Sequence, residues 1–288
     1  MKDGFIKVAA GTPDVQVADC EFNAAEIIKM VREMEAEGAK VMVFPELCIT
    51  AYTCGDLFWQ ENLLEEAKVQ LVRIAEETAD VDAIIFVGLP LEYKGKLYNV
   101  AAGLNHGEIL GFVPKTYLPN YNEFYEARYF TSGEDVDGTV TIRRSEYGLH
   151  HDEEMTDEDV EFGLEAELEA LEEEDSFEEL EEIDEEPDYI DEDETEEFDE
   201  VDVPISSNIL FICQEMPKLK IAAEICEDLW VPNPPSVGHA YHGANLIVNL
   251  SASDEVVGKD SYRKSLVSAQ SARLLCGYIY ATAGEGES

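Results

Sequence analysis

Cys226 is the residue around which the chemistry of this chain is organised. It lies in AAEICEDLW, residues 222–230, where an apolar run changes abruptly to acidic residues, the pattern of a buried β-strand running into a turn. A thiol at such a strand end leaves the sheet and meets backbone N–H donors, which is what a nucleophile needs to react and to stabilise the oxyanion it creates. Without such company a cysteine in an apolar run is one more small buried hydrophobe. Two other runs end in the same way. VMVFPEL, residues 41–47, is stopped by Pro45 and followed by Glu46, and the run ILGFVP, residues 109–114, is followed by Lys115. A thiol, a carboxylate and an ammonium thus stand at three strand ends, the groups that covalent catalysis, proton transfer and anion stabilisation call for.

The elements that must position these groups alternate between strand and helix patterns. FIKVAAG, residues 5–11, reads as a strand, and Ala24, Ile27, Ile28, Val31 and Met34 recur at helical spacing before a stop at Gly38. After the strand that delivers Glu46, a second amphipathic helix is marked by Leu63, Leu64, Ala67, Leu71, Ile74 and Ala75, followed by the strand AIIFVGLP, residues 83–90. In residues 93–115, KGK and NHGE separate short apolar runs, predicting antiparallel strands joined by hairpins and therefore a mixed sheet. Past the acidic block, NILFICQE and KLKIAAEIC predict two strands, ANLIVNLSAS another, and GYIYATA a last one. Between the last two, Tyr262, Leu266, Ala269 and Ala272 predict a helix with one apolar face, ending near Gly277. The alternation implies a layered α/β fold.

The chain has 288 residues, 45% of them hydrophobic, ample for one large domain. No run of 18 apolar residues and no signal-peptide pattern is present, so a cytoplasmic location is expected, with no membrane partner. Cys20, Cys48, Cys54, Cys213, Cys226 and Cys276 lack metal-ligand spacing and read as free thiols, with no metal site. The net charge of −46 is unevenly spread. Of 65 Asp and Glu, 31 fall within residues 152–202, leaving 34 against 19 Lys and Arg elsewhere. The charge therefore argues against nucleic acid as a partner without naming a substrate. Residues 146–203 carry too little apolar surface to offset ordering, so this block is expected to be a disordered or marginally helical insertion, and the globular domain is expected to comprise residues 1–145 and 204–288. The block would serve as a docking site for a basic partner or simply as a solvated loop.

Glu46, Lys115 and Cys226 together resemble the Glu–Lys–Cys triad of the nitrilase superfamily, the carbon–nitrogen hydrolases. The longer strings VFPELCITAY at 43–52, KTYLPNYNEFYEARYF at 115–130, EICEDLWVPNPPS at 224–236 and NLSASDEVVGK at 249–259 are more narrowly similar to the glutaminase domain of glutamine-dependent NAD synthetases. The likeness runs from about residue 5 to residue 288, interrupted by the acidic block. It implies a four-layer α-β-β-α sandwich. Within it Glu46 would carry the proton, Lys115 would stabilise the tetrahedral intermediate and Cys226 would form a thioester. Glu123 corresponds to a second glutamate that helps hold the lysine and the substrate, and otherwise reads as an exposed loop carboxylate.

The resemblance further places Tyr52, Tyr121, Glu227 and Ser253 around a glutamine substrate. At Lys259 the family pattern has arginine, whose planar fork grips a carboxylate bidentately where lysine offers a point charge. The synthetases also carry a C-terminal ATP-dependent domain with a Ser-Gly-Gly phosphate loop, and this sequence lacks that motif. The expectation is a C-terminally incomplete glutaminase that needs no cofactor itself, with ATP and Mg required only by the missing synthetase partner, and with a homo-oligomer implied by the family. Two alternatives stand beside it. One is a free-standing nitrilase-type amidase acting on another small amide, and the other a non-catalytic interaction protein that displays the acidic segment.

Overall fold

A computed structural model of the chain describes residues 5–143 and 200–284. The fold is two sheets packed face to face with helices outside. A seven-stranded mixed sheet has the order β1-β2-β3-β4-β5-β7-β6, and a four-stranded sheet the order β11-β10-β9-β8. In the first, β1 (Lys7–Ala10), β2 (Ala39–Val43) and β3 (Ile84–Tyr93) are parallel, while β4 (Lys96–Asn105) and β5 (Glu108–Pro114) continue from β3 as antiparallel hairpins. The hairpin turns fall at Lys94–Gly95 and His106–Gly107, all four at positive φ, as the KGK and NHGE signals predicted. The sheet closes with β6 (Asp137–Arg143) and β7 (Glu200–Ser206). In the second sheet β9 (Lys220–Ile225), β10 (Leu246–Ser251) and β11 (Gly277–Thr282) are parallel, with the short β8 (Phe211–Ile212) antiparallel at the edge.

Three apolar interfaces hold the four layers together. Val41, Val43, Phe86, Ala101 and Val113 of the first sheet meet Ile221, Ala223, Val248, Leu250 and Ile279 of the second, a dry core between the sheets. On the far side of the first sheet, α1 (Cys20–Ala36) and α2 (Glu61–Glu77) bury the stripes read from sequence, including Ala24, Ile27 and Val31 on one and all six named positions on the other. The Asp19 carboxylate caps α1 by accepting from Phe22 N at 3.0 Å, and the chain leaves α1 through Gly38 at φ 81°. On the far side of the second sheet lie α3 (Pro235–Tyr241) and α4 (Lys259–Leu274), over a much smaller apolar cluster.

Three expectations need correction. Residues 146–199 of the acidic block lie outside the described residues, but 200–203 belong to β7, whose alternating Val201, Val203 and Ile205 pair with β6 across a ladder running from Asp137 to Arg143. Nearly every second residue of that ladder is charged or hydroxylic, so composition hid a strand. NILFICQE yields only the two-residue β8. The apolar stripe of α4 does not face the core, since Tyr262, Ala269 and Ala272 are exposed and the buried residues are Arg263 and Gln270. Among the described residues no helix is long and apolar enough to cross a membrane.

Candidate active site

The strands β2, β5, β9 and β10 all end at one edge of the sandwich, and the residues that follow them meet there. Glu46 follows β2 in a tight loop pressed onto β3 at Gly88. A Cβ at Gly88 would stand 2.4 Å from Leu47 N and 2.7 Å from Pro45 O, so only glycine lets this loop sit so close. Lys115 follows β5, its N–H still bonded to Asn99 O at 2.8 Å. Cys226 opens a one-turn 3-10 helix, Cys226–Leu229, directly after β9, at φ 43°. For a residue with a Cβ that conformation is strained, and such strain turns the side chain out of the strand toward the site.

Lys115 is 1% exposed and lies between two carboxylates: Nζ donates to Glu46 Oε1 at 2.6 Å and to Glu126 Oε1 at 2.7 Å. Burial opposes the charge on Lys115, but Glu126 and Glu46 outweigh it and hold its pKa well above that of an ordinary lysine. Glu46 is fastened at both oxygens. Oε1 also accepts from Asn99 Nδ2 at 2.6 Å, and Oε2 accepts from Ala252 N at 3.0 Å, just past β10. Asn99 thus grips Lys115 through its carbonyl and Glu46 through its amide. Burial pushes the Glu126 carboxyl up to about 7 although Lys115 pulls it down, and Glu46 adds to the rise. Burial likewise pushes the Cys226 thiol up, reinforced by Glu46 and opposed by Lys115, so at rest the sulfur keeps its proton. The Cys226 N–H donates to Asn249 Oδ1 at 3.2 Å.

The glutamate that meets Lys115 beside Glu46 is Glu126, whereas Glu123, the one expected there, does not reach it. Residues 119–126 fold back through Asn122 at φ 52°, with Phe124 N on Tyr121 O and Glu126 N on Pro119 O. This turn leaves Glu123 exposed beside a hollow that it lines with Tyr52, Phe58 and Tyr129, and drives Glu126 inward. NEFYEARYF offers two glutamates three residues apart, and only the turn decides between them.

The expected substrate contacts are placed unevenly. Tyr52 is half-buried and donates its hydroxyl to Glu126 Oε1 at 2.7 Å, so it braces the lysine's carboxylate. Tyr121, at the exposed rim, donates to Glu227 Oε2 at 2.8 Å. Ser253 is buried past the end of β10, 3.4 Å from Arg263 Nη2. Lys259 pairs with Asp254 and lies 5.4 Å from the Trp230 ring centroid and 5.9 Å from that of Phe124. A guanidinium does approach Ser253, but it belongs to Arg263, one turn further along α4. All six cysteines are free thiols, and among the described residues no cluster of His, Cys, Asp and Glu could hold a metal ion.

The carbon–nitrogen hydrolase family profile matches residues 7–284. Glutamine-dependent NAD(+) synthetase from Mycobacterium bovis is 33% identical over 285 residues, which is 99% of this chain and 34% of the relative. The crystal structure of a glutamine-dependent NAD(+) synthetase from Cytophaga hutchinsonii superposes with TM-score 0.68 at 25% identity, over 96% of this chain and 36% of that one. An amidase from Nesterenkonia sp. superposes with TM-score 0.62 at 15% identity, over 100% of this chain and 80% of that one, a likeness of fold. The chain spans about a third of the length of the curated relatives it matches.

Proposed function

Because the chain belongs to the carbon–nitrogen hydrolase family, we propose that it hydrolyses the side-chain amide of glutamine and so releases ammonia for an NAD synthetase reaction. The observation that carries this reading is Lys115, buried and charged between Glu46 and Glu126 at the strand edge where Cys226 emerges. An amide is a weak electrophile with a poor leaving group, so the site must supply a thiolate, a proton for the nitrogen and positive charge at the oxyanion.

The steps follow from these groups. Cys226 Sγ attacks the amide carbon while its proton passes to Glu46. Lys115 stabilises the oxyanion, held in place by Glu126, which Tyr52 braces in turn. Glu46 returns the proton to the nitrogen, the C–N bond breaks and ammonia leaves a Cys226 thioester. Water, deprotonated by Glu46, then attacks the thioester, and the thiol recovers its proton as glutamate departs. The Tyr121–Glu227 pair and Ser253 supply oxygen atoms suited to an α-amino group, and Lys259 and Arg263 supply positive charge for the α-carboxylate. Hydrolysis itself needs no cofactor, whereas ATP and Mg serve the ligation of ammonia in a synthetase partner. A homo-oligomer is part of the same reading.

Ammonia release from glutamine, asparagine and simple amides by the native chain and by Cys226→Ala tests this. Glutamine-selective release that is lost with Cys226 is the expected result. Release only from other amides would replace glutaminase with a general amidase, and no release from a folded chain, with or without a synthetase domain, would overturn catalysis altogether.

A further inference from the structure

Asp228 is a carboxylate that none of the steps above uses, yet it is 1% exposed and has a hydrogen-bond pattern that joins the two halves of the site. Its Oδ1 accepts from Tyr117 N at 2.8 Å and from Thr116 N at 3.1 Å, and its Oδ2 accepts from Ile225 N at 3.0 Å. Thr116 and Tyr117 are the two residues after Lys115, where the chain leaves β5 and its ladder partners end. Ile225 is the residue before Cys226. One side chain thus collects the backbone N–H groups of both segments, which come from different sheets and lie 111 and 112 residues from Asp228 in one case and three in the other.

The simpler account is a helix cap, since Ile225 N to Asp228 is the local bond expected at the start of the 3-10 turn. A cap explains one of the three donors. The other two come from across the sheet-to-sheet boundary, and a cap has no need of them. Hydrogen bonds from N–H to an ionised carboxylate are roughly twice as strong as neutral ones, and every partner of the Asp228 side chain is an N–H donor, which favours the ionised form. Burial pushes the Asp228 carboxyl up to about 8 although the Ile225 and Tyr117 N–H groups pull it down, so the charge depends on donors supplied by the very segments that carry the thiol and the lysine.

We propose that Asp228 is a positioning residue that clamps the Lys115 segment to the Cys226 turn and so fixes the ammonium relative to the sulfur. For catalysis the inference rests on the amide-hydrolysis reading, but the geometry of the clamp does not. Asp228→Asn turns an NH2 group toward one set of N–H donors, and Asp228→Glu keeps the carboxyl while moving it by one methylene. Both are expected to misplace Lys115.

The test measures carbamidomethylation of Cys226 by iodoacetamide at pH 8, identified by peptide mass and normalised to the folded fraction from circular dichroism, alongside kcat and KM for glutamine. Lys115 pulls the thiol toward ionisation, so its displacement should slow alkylation about tenfold or more in both variants and lower kcat as much, with KM within about twofold. Loss of a negative charge by field alone would do the reverse, speeding alkylation in Asp228→Asn and leaving Asp228→Glu native. That pattern, or native rates in whichever variant folds, would overturn the clamp. If the native chain releases no ammonia from glutamine, the function proposed above fails while alkylation still decides the role of Asp228.

Discussion

The two sheets are covered by helices in opposite ways. Over the seven-stranded sheet, α1 and α2 press Ala24, Ile27, Val31, Ala67, Leu71 and Ile74 onto a continuous apolar face. Over the four-stranded sheet, the buried residues of α3 and α4 are Ser236, His239, Arg263 and Gln270. Beneath them Glu224 accepts from Ser236 N at 2.9 Å and from the Tyr278 hydroxyl, which also receives Asn249 Nδ2, while Gln270 Nε2 donates to Ser236 Oγ at 2.8 Å. The first covering excludes water and tolerates small slips, because dispersion and burial have little direction. The second is directional, and its last member, Asn249, holds the N–H of the nucleophile. The thiol thus sits on the sheet whose outer layer is specified atom by atom.

Substitutions can break or sharpen this contrast. Ala67, fully buried on α2, is expected to tolerate no charge: Ala67→Glu buries an unpaired carboxylate in the apolar layer, and a loss of more than about 4 kcal/mol in a denaturant titration should follow. In the polar layer the largest effect comes from pH. Burial, with His242 adding to it, lowers the pKa of His239 from 6.5 to about 4. A base depressed on folding stays neutral in the native state and takes its proton on unfolding. Its contribution is therefore fully present above pH 6.5 and lost as pH falls towards 4. By linkage this is on the order of 3 kcal/mol, read as the difference in unfolding free energy between native and His239→Gln chains across that window.

Tyr278→Phe removes one hydroxyl and leaves Glu224 Oε1 and Asn249 Nδ2 short of a partner, for an expected loss of about 1–3 kcal/mol. The same change should slow Cys226 alkylation, whereas Leu71→Ala in the apolar layer, though more destabilising at about 2–5 kcal/mol, should leave the alkylation rate of the folded fraction unchanged. The smallest effect is expected on the outside of α4, where Ala272→Glu should stay within about 0.5 kcal/mol of native by thermal melting. A large loss there would mean that α4 is covered in solution.

The legibility of the sequence follows the same division. Period-3.6 spacing named every buried position of α2 that the sequence singled out, because an apolar layer selects residues by hydrophobicity alone. The same rule failed on α4, where Tyr262, Ala269 and Ala272 keep helical spacing but the packing layer is built from Arg263 and Gln270. Strands ending in Pro45–Glu46, Pro114–Lys115 and Ile225–Cys226 announced the site, since a change from apolar to chemically committed residues marks a strand end wherever it lies in space. Asn99 and Asn249 gave no such signal. Each lies inside a buried strand, and an amide there acquires meaning only from the strand beside it.

The sequence by itself determined the alternation of strands and helices, the hairpins at Lys94–Gly95 and His106–Gly107, and the placing of Glu46, Lys115 and Cys226 at strand ends, because these depend on periodicity, turn chemistry and residue type within a few neighbours. Tertiary structure alone decided that Glu126 and not Glu123 meets the lysine, that the guanidinium of Arg263 approaches Ser253, and that Asp228 reaches across to the residues after Lys115. Each of those outcomes turns on a fraction of a turn of backbone or on a contact between segments about a hundred residues apart. Hydrogen bonds discriminate at that scale, and local sequence pattern does not.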